Sequence, residues 1–168
     1  LHARIFNYEA CLKSLKKSKF IQDYLIVDCE NDVLKCTDYL ASNSYDEIKI
    51  HVISQKPTLI KKEDFKNNLK VRQAIAINLT QIPSELKTDY ETLLNDTSYV
   101  TIEKALFNLW VNFPQERKKY LLQTKGIQGF NDKNSRIVWL TLALITEDFE
   151  PENKQTYFQE LTNYTNPV

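Results

Sequence analysis

The chain has 168 residues with 22 basic and 22 acidic side chains, a formal net charge of zero, and 42% hydrophobic residues. This length fits one domain with a substantial core, and the balanced charge excludes a long-range attraction to nucleic acid or an anionic membrane, so we expect neither as a partner. Glycine and proline, at two and five residues, are too scarce for the turns of β-sandwiches, β-barrels or glycine-rich nucleotide-binding folds, and we predict an all-α fold.

The first sixty residues contain three stretches that can each place an apolar stripe on one face of a helix. Ser44 followed by Glu47 has the pattern of a capping box, which predicts that the third of these helices begins near Tyr45. The three stretches read "FNYEACLKSL", "NDVLKCTDYLA" and "SYDEIKIHVIS".

Three prolines recur in similar surroundings from residue 60 onward. Pro83, Pro114 and Pro151 are each followed by acidic residues. Proline is tolerated in the first turn of a helix, where its missing N–H has no intrahelical partner, and acidic residues suit that end of the helix dipole. We therefore predict that each proline opens a helix. One to two turns later each of these helices carries a tyrosine, at Tyr90, Tyr120 and Tyr157.

A segment with apolar residues at helical spacing precedes each proline, so each proline lies between two helices of a predicted hairpin. The proline spacings of 31 and 37 residues are typical of two-helix repeats. We predict an α-α superhelix of stacked helical hairpins of the HEAT or armadillo kind, forming one domain over residues 1–168. The apolar positions are Val71, Ile75 and Leu79 before the first proline, Ile102, Ala105, Leu106, Leu109 and Phe113 before the second, and "NSRIVWLTLALI" before the third.

The last of these segments, residues 134–145, is apolar on almost every side. Such a helix is expected to be covered on every side by its neighbours. Arg136 is the exception, because a guanidinium must reach solvent, a carboxylate or a ligand. Before this helix, "KGIQGFND" predicts a break in which Gly126 ends one helix and Asn131 or Asp132 caps the next.

The sequence contains no recognisable catalytic or metal-binding motif. His2 and His51 are the only histidines, and neither belongs to an HxxxH or HExxH pattern. Glycine-rich phosphate loops and GxSxG elbows are absent too. We therefore predict no catalytic residue, no metal ligand and no cofactor in this chain. Three cysteines, Cys11, Cys29 and Cys36, fit neither a CxxC pair nor a zinc knuckle and are expected to be reduced thiols.

The block "SYVTIEKALFNLWVNFPQERKKYLLQTKGIQGFNDKNSRIVWLTLAL", Ser98 to Leu144, resembles the C-terminal helical domain of M1-family zinc aminopeptidases, especially the shorter bacterial members. Its most similar part, "NSRIVWLTL", resembles a helix of leukotriene-A4-hydrolase-like members in which an arginine precedes a tryptophan and then alternating leucines. The resemblance extends over about residues 70 to 165.

In that family a catalytic domain carries the HExxH helix and a downstream glutamate that hold zinc, and a HEAT-like helical domain closes the cavity above them. The resemblance implies that this chain is an excised, non-catalytic C-terminal portion that limits substrate access while N-terminal residues are removed from peptides. Its partners would be the catalytic domain of the same polypeptide and the peptide substrates, and zinc would belong to the parent enzyme. The absence of methionine anywhere in the chain also favours a fragment.

Some members use basic residues near the substrate carboxylate, and by position Lys133 and Arg136 are the candidates here.

The alternative hypothesis is a free-standing helical-repeat module for protein–protein interaction. A large exposed apolar patch would favour the excised domain, whereas a uniformly polar exterior would not. The sequence does not decide between a cytoplasmic and a periplasmic location.

Overall fold

The computed structural model describes residues 45–125 and 133–165. Every regular element in these two ranges is an α-helix or a short 3-10 helix, and neither range contains a strand, which confirms the predicted all-α class. No helix in them is both long and apolar enough to cross a membrane. The first two predicted helices, the three cysteines, His2 and the loop around Gly126 lie outside the described residues.

The boundary between two compact units falls between Ile60 and Lys61. In the first unit, helix α1 (Asp46–Gln55) buries Ile48, Val52 and Ile53. The helix begins next to Tyr45 as predicted, and Tyr45 is its N-cap without a side-chain cap bond. The predicted capping box depends on Ser44, which lies outside the described residues. The single domain over residues 1–168 stays a prediction.

The second unit contains six further α-helices among the described residues. Short 3-10 segments at Lys62–Lys66 and Thr92–Asn95 precede and follow the first pair of these helices. The α-helices are α2 (Leu69–Asn78), α3 (Lys87–Glu91), α4 (Tyr99–Asn112), α5 (Arg117–Lys125), α6 (Lys133–Ile145) and α7 (Lys154–Thr165).

All three prolines open helices, as predicted. Pro114 and Pro151 begin 3-10 turns that lead directly into α5 and α7, and Pro83 is the N-cap of the turn that leads into α3. The tyrosine that follows each proline is buried, at Tyr90, Tyr120 and Tyr157. The proline places the start of each helix, and the tyrosine then anchors that helix in the core.

Helices α2, α4 and α6 lie side by side, with α4 in the middle, and we call these three helices the row. Hydrogen bonds join matching ends of neighbouring helices. At the C-terminal ends, Asn112 Nδ2 donates to the Thr80 carbonyl at 2.8 Å and Trp110 Nε1 donates to Thr146 Oγ1 at 2.9 Å. Near the N-terminal ends, Ser135 Oγ donates to the Glu103 carboxylate at 2.9 Å. The three helices of the row therefore run in the same direction.

A regular step along the sequence relates the ends of the row helices. Asn78, Asn112 and Thr146 follow one another at equal intervals, and each side chain donates to the carbonyl four residues earlier, at 2.7 to 2.8 Å. The two intervals between the prolines are unequal, by contrast, because the turns between the helices vary in length. The structural repeat is therefore more regular than the prolines indicate.

Helix α6 is not covered on every side, which corrects the expectation from its sequence. Trp139 is fully buried, with its ring edge-on to Phe149 and Tyr157 at centroid distances of 6.1 and 5.3 Å. Thr141 is exposed, however, and Ile145 is 54% exposed. Helices α4, α5 and α7 pack against α6, and the side that carries these two residues stays open.

Candidate functional site

Arg136, one of the two predicted substrate contacts, binds a carboxylate within the chain. Its Nε donates to Glu160 Oε1 at 2.6 Å and its Nη2 donates to Oε2 at 2.7 Å. The guanidinium also lies 4.9 Å from the centre of the Trp139 ring. The Glu160 carboxylate raises the pKa of Arg136 above its usual value. A paired fork of this kind positions α7 against α6, and contact with a substrate stays a prediction.

Lys133, the other predicted contact, is exposed in the first turn of α6. It lies three residues before Arg136, so the two side chains share one face near the N-terminal end of the helix. The structure thus brings the two candidates together. The sequence pattern did not predict that Glu160, 24 residues from Arg136, would bind the guanidinium.

The outward side of the row exposes large apolar side chains. On α4, Val100, Phe107 and Val111 are seven and four residues apart, which places them on one face of the helix. Ile77 on α2 and Ile145 on α6 occupy the same C-terminal part of their helices as Phe107 and Val111 do. Phe107 is 48% exposed. We call the four residues Ile77, Phe107, Val111 and Ile145 the apolar band.

The row also has an unbalanced charge, although the whole chain is neutral. Its three helices contain one acidic residue, Glu103, which accepts a hydrogen bond from Ser135 and pairs with Lys104. The five basic residues of the row are Lys70, Arg72, Lys104, Lys133 and Arg136. The net charge of the chain concealed this separation, and a count helix by helix would have revealed it.

Two open clefts border the row at its two ends. The first, of about 710 Å³, lies at the N-terminal ends and is lined by Leu69, Ser98, Tyr99, Val100, Lys104 and Asn134 among others. The second, of about 450 Å³, lies beside the C-terminal ends of α4 and α6, where Arg117 stacks 3.6 Å from the centre of the Trp110 ring and donates from Nε to the Trp110 carbonyl. Lys118 pairs with Asp148 in this second cleft. Neither cleft is enclosed, so both are parts of the surface rather than buried pockets.

A polar network joins α3 to α5. The buried Tyr120 hydroxyl donates to Glu91 at 3.0 Å, and Lys119 donates to Glu91 and Glu116 at 2.9 and 3.0 Å. Lys87 also pairs with Glu116. Burial, aided by the Glu91 carboxylate, raises the pKa of Tyr120 far above its usual value, so the phenol stays neutral. Every group in this network has a partner, which indicates a structural role.

Glu150 connects the turn before α7 to its neighbours. Its backbone is left-handed, with φ of 41°, which is uncommon outside glycine. Lys125 Nζ donates to Glu150 Oε1 at 2.5 Å, Asn153 donates at 2.9 Å, and the Tyr157 hydroxyl donates as well. Bonds from Lys125 first, and then from Tyr157, lower the pKa of Glu150 to about 2.

In Glu150→Gln, the free energy of unfolding is expected to fall less steeply than in the wild type as the solution is acidified. Because the folded-state pKa lies below the usual 4.5, the ionised carboxylate stabilises the fold above pH 4.5, and this contribution is lost as the pH falls from 4.5 towards 2. Thermal unfolding between about pH 5 and pH 2 measures the effect. The control Glu152→Gln, an exposed residue of the same turn, should keep the wild-type slope. Equal slopes for wild type and Glu150→Gln would contradict the assignment.

The described residues contain no group of three or more histidine, cysteine, aspartate or glutamate side chains that could hold a metal ion. His51 lies on α1 with its Nε2 2.5 Å from the Gln55 amide. The residues present in the described ranges therefore do not fit a zinc site. Comparisons with known protein families, with curated proteins and with solved structures find no match to this chain.

Proposed function

We propose that this chain is the non-catalytic C-terminal helical domain of an M1-type zinc aminopeptidase, which covers the active-site cavity and limits substrate access. The apolar band on the row is the observation that carries the proposal. Ile77, Val111 and Ile145 follow one another at the interval of the structural repeat, and exposed apolar side chains grouped in this way favour a contact surface more than singly scattered ones do. A domain removed from its parent polypeptide exposes the surface that its neighbouring domain covered. The catalytic domain of the same polypeptide is the partner that this proposal requires.

The same proposal includes the finer architecture, an α-α superhelix of HEAT-like hairpins. Two observations support it: the row helices run in one direction, and their ends recur at equal intervals along the sequence. Each repeat in such an array contacts mainly its neighbours, which produces an extended surface rather than a closed pocket. A surface of that shape can form one wall of a cavity that admits short peptides.

In this proposal zinc and the catalytic residues lie in the catalytic domain. This chain contributes one wall of the cavity and positively charged side chains. Lys133 and Arg136 would present positive charge from the N-terminal end of α6 towards the carboxylate of a peptide. Lys133 is the more accessible of the two, because the fork of Arg136 is bound to Glu160. A peptide carboxylate would therefore have to compete with Glu160 for the arginine.

Peptidase assays on aminoacyl-p-nitroanilides with added zinc test the proposed function. The 168-residue chain is compared with the longer product of its own reading frame. Cleavage by the longer product alone, together with an HExxH motif upstream, is the expected result. Cleavage by the short chain alone would overturn the proposal, and so would the lack of activity in both proteins combined with no upstream HExxH.

The second candidate is a free-standing helical-repeat module that binds a partner protein. The exposed lysines of the row favour it, since surface charges steer and orient the association of proteins.

A further inference from the structure

We infer that Glu160 is an autoinhibitory residue, whose carboxylate occupies Arg136 until the carboxylate of a ligand displaces it. The inference rests on the proposed function for the ligand, a peptide with a free C-terminal carboxylate, and it adds how that site is regulated. Three features of the structure carry it. They are the geometry of the ion pair, the exposure of Glu160 and the weak anchoring of the half of α7 that holds Glu160.

The ion pair between Arg136 and Glu160 has the geometry with which an arginine binds a carboxylate ligand. Arg136 Nε and Nη2 donate to the two carboxylate oxygens at 2.6 and 2.7 Å, which is the bidentate arrangement. Lys133 is exposed one turn earlier on the same face of α6 and adds a second positive charge. A ligand carboxylate can therefore form the same two bonds in place of Glu160.

Glu160 is more exposed than the carboxylate that binds the other arginine of the row. The side chain of Asp96, the partner of Arg72, is 1% exposed and also accepts a hydrogen bond from the Ser98 backbone at 3.0 Å. The Glu160 side chain is 32% exposed, and within the described residues it accepts hydrogen bonds from Arg136 alone. Because partly exposed ion pairs contribute little net stability, Glu160 is the carboxylate that a ligand can replace.

The first half of α7 is anchored more firmly than the second half. Lys154 Nζ donates to three carbonyls at the C-terminal end of α6, at 2.6 to 2.9 Å, and Tyr157 is buried. None of the residues 158–164 is buried. The pair with Glu160 is the only ion pair of α7 in the part of the chain that the structure describes. We therefore expect the second half of α7 to separate from α6 more readily than the first half, since it has few buried contacts to lose.

The binding of a carboxylate ligand is thereby linked to the release of the second half of α7. The wild-type affinity is reduced by the fraction of molecules in which Glu160 leaves the arginine open. Removing the competing carboxylate should raise the affinity of the ligand. Coupling free energies of the usual size predict an increase of at least about fivefold.

Substitution of Glu160 in the longer product of the reading frame tests the competition. The probes are acetyl-trialanine, which has a free carboxylate, and acetyl-trialaninamide, which has none, and both are blocked against removal of their first residue. By isothermal titration calorimetry, Glu160→Gln should lower the Kd of acetyl-trialanine at least about fivefold and leave that of the amide unchanged. The control Glu152→Gln, which removes the same charge from an exposed residue of the turn before α7, should keep the wild-type Kd. Arg136→Gln should abolish the preference for the free carboxylate.

Hydrogen exchange distinguishes autoinhibition from a purely structural role. In the wild type, saturating acetyl-trialanine should speed the exchange of the backbone amides of residues 158–164, because the peptide displaces Glu160, and the amide peptide should not. If the ion pair only holds α7 in place, Glu160→Gln and Arg136→Gln would both speed exchange in this segment and neither would bind the peptide more tightly. That result would overturn the inference.

An unchanged or weaker affinity of Glu160→Gln for acetyl-trialanine would also overturn the inference. Peptidase activity on aminoacyl-p-nitroanilides is recorded with the same proteins. Cleavage combined with an unchanged affinity rejects the autoinhibition alone. Tighter binding by Glu160→Gln without cleavage by the wild type supports the autoinhibition and rejects the aminopeptidase.

Discussion

Trp139→Ala is expected to lower the free energy of unfolding by about 3–5 kcal/mol, the range for removing a large buried aromatic side chain. Trp139 is fully buried, its ring contacts Phe149 and Tyr157, and its Nε1 donates to Thr124 Oγ1 at 3.1 Å. Truncation leaves a cavity among α5, α6 and α7 and removes the hydrogen bond that the buried Thr124 hydroxyl accepts. Chemical denaturation followed by circular dichroism measures the loss.

The matched control for this prediction is Ile145→Ala in the same helix. Because Ile145 is 54% exposed, its truncation should change the free energy of unfolding by no more than about 0.5 kcal/mol, as for surface substitutions in general. Losses of similar size for the two variants would show that α6 does not pack in the described orientation.

Tyr90→Ala is expected to lower the free energy of unfolding by about 3–5 kcal/mol as well, because Tyr90 is a fully buried aromatic residue of α3. Its ring lies edge-on to Phe65 at 6.0 Å, and its hydroxyl donates to the Ala76 carbonyl at 3.1 Å. Asn108 Nδ2 donates both to that carbonyl, at 2.9 Å, and to the Tyr90 hydroxyl, at 2.8 Å.

Tyr90→Phe separates the ring from the hydroxyl in this prediction. Ala76 keeps its hydrogen bond from Asn108, so the loss should be about 1 kcal/mol, the net value of one hydrogen bond. The same denaturation experiment compares the two variants. A loss for the phenylalanine variant as large as that for alanine would mean that the hydroxyl network, rather than the buried ring, holds α3 in place.

Local signals in the sequence were enough to predict the helices of the second unit. Proline at a helix start is a backbone effect that needs no tertiary contact, and Pro83, Pro114 and Pro151 all act in this way. Helical periodicity likewise identified Val71 and Ile75 as core residues. Both signals depend on residues only a few positions apart.

Contacts between residues that are far apart in the sequence could not be predicted in the same way. The sequence predicted that Arg136 contacts a carboxylate, solvent or a ligand. It could not identify Glu160, because that contact depends on how α7 packs on α6. The left-handed backbone at Glu150 is equally invisible, because it depends on hydrogen bonds from Lys125 and Tyr157. Periodicity also overestimated the burial of Ile145, since apolar composition alone cannot tell a buried face from an exposed one.

The proposed function requires that the row faces the remainder of its own polypeptide. The most direct test places the photo-crosslinker p-benzoyl-phenylalanine at Phe107, in the middle of the row, within the longer product of the reading frame. Leu122 on α5, which is 57% exposed against 48% for Phe107, serves as the control site. Irradiation at position 107 is expected to join α4 to residues upstream of this chain, and position 122 is expected to give no such product. Crosslinks from position 107 only to other molecules, or none at all, would contradict it.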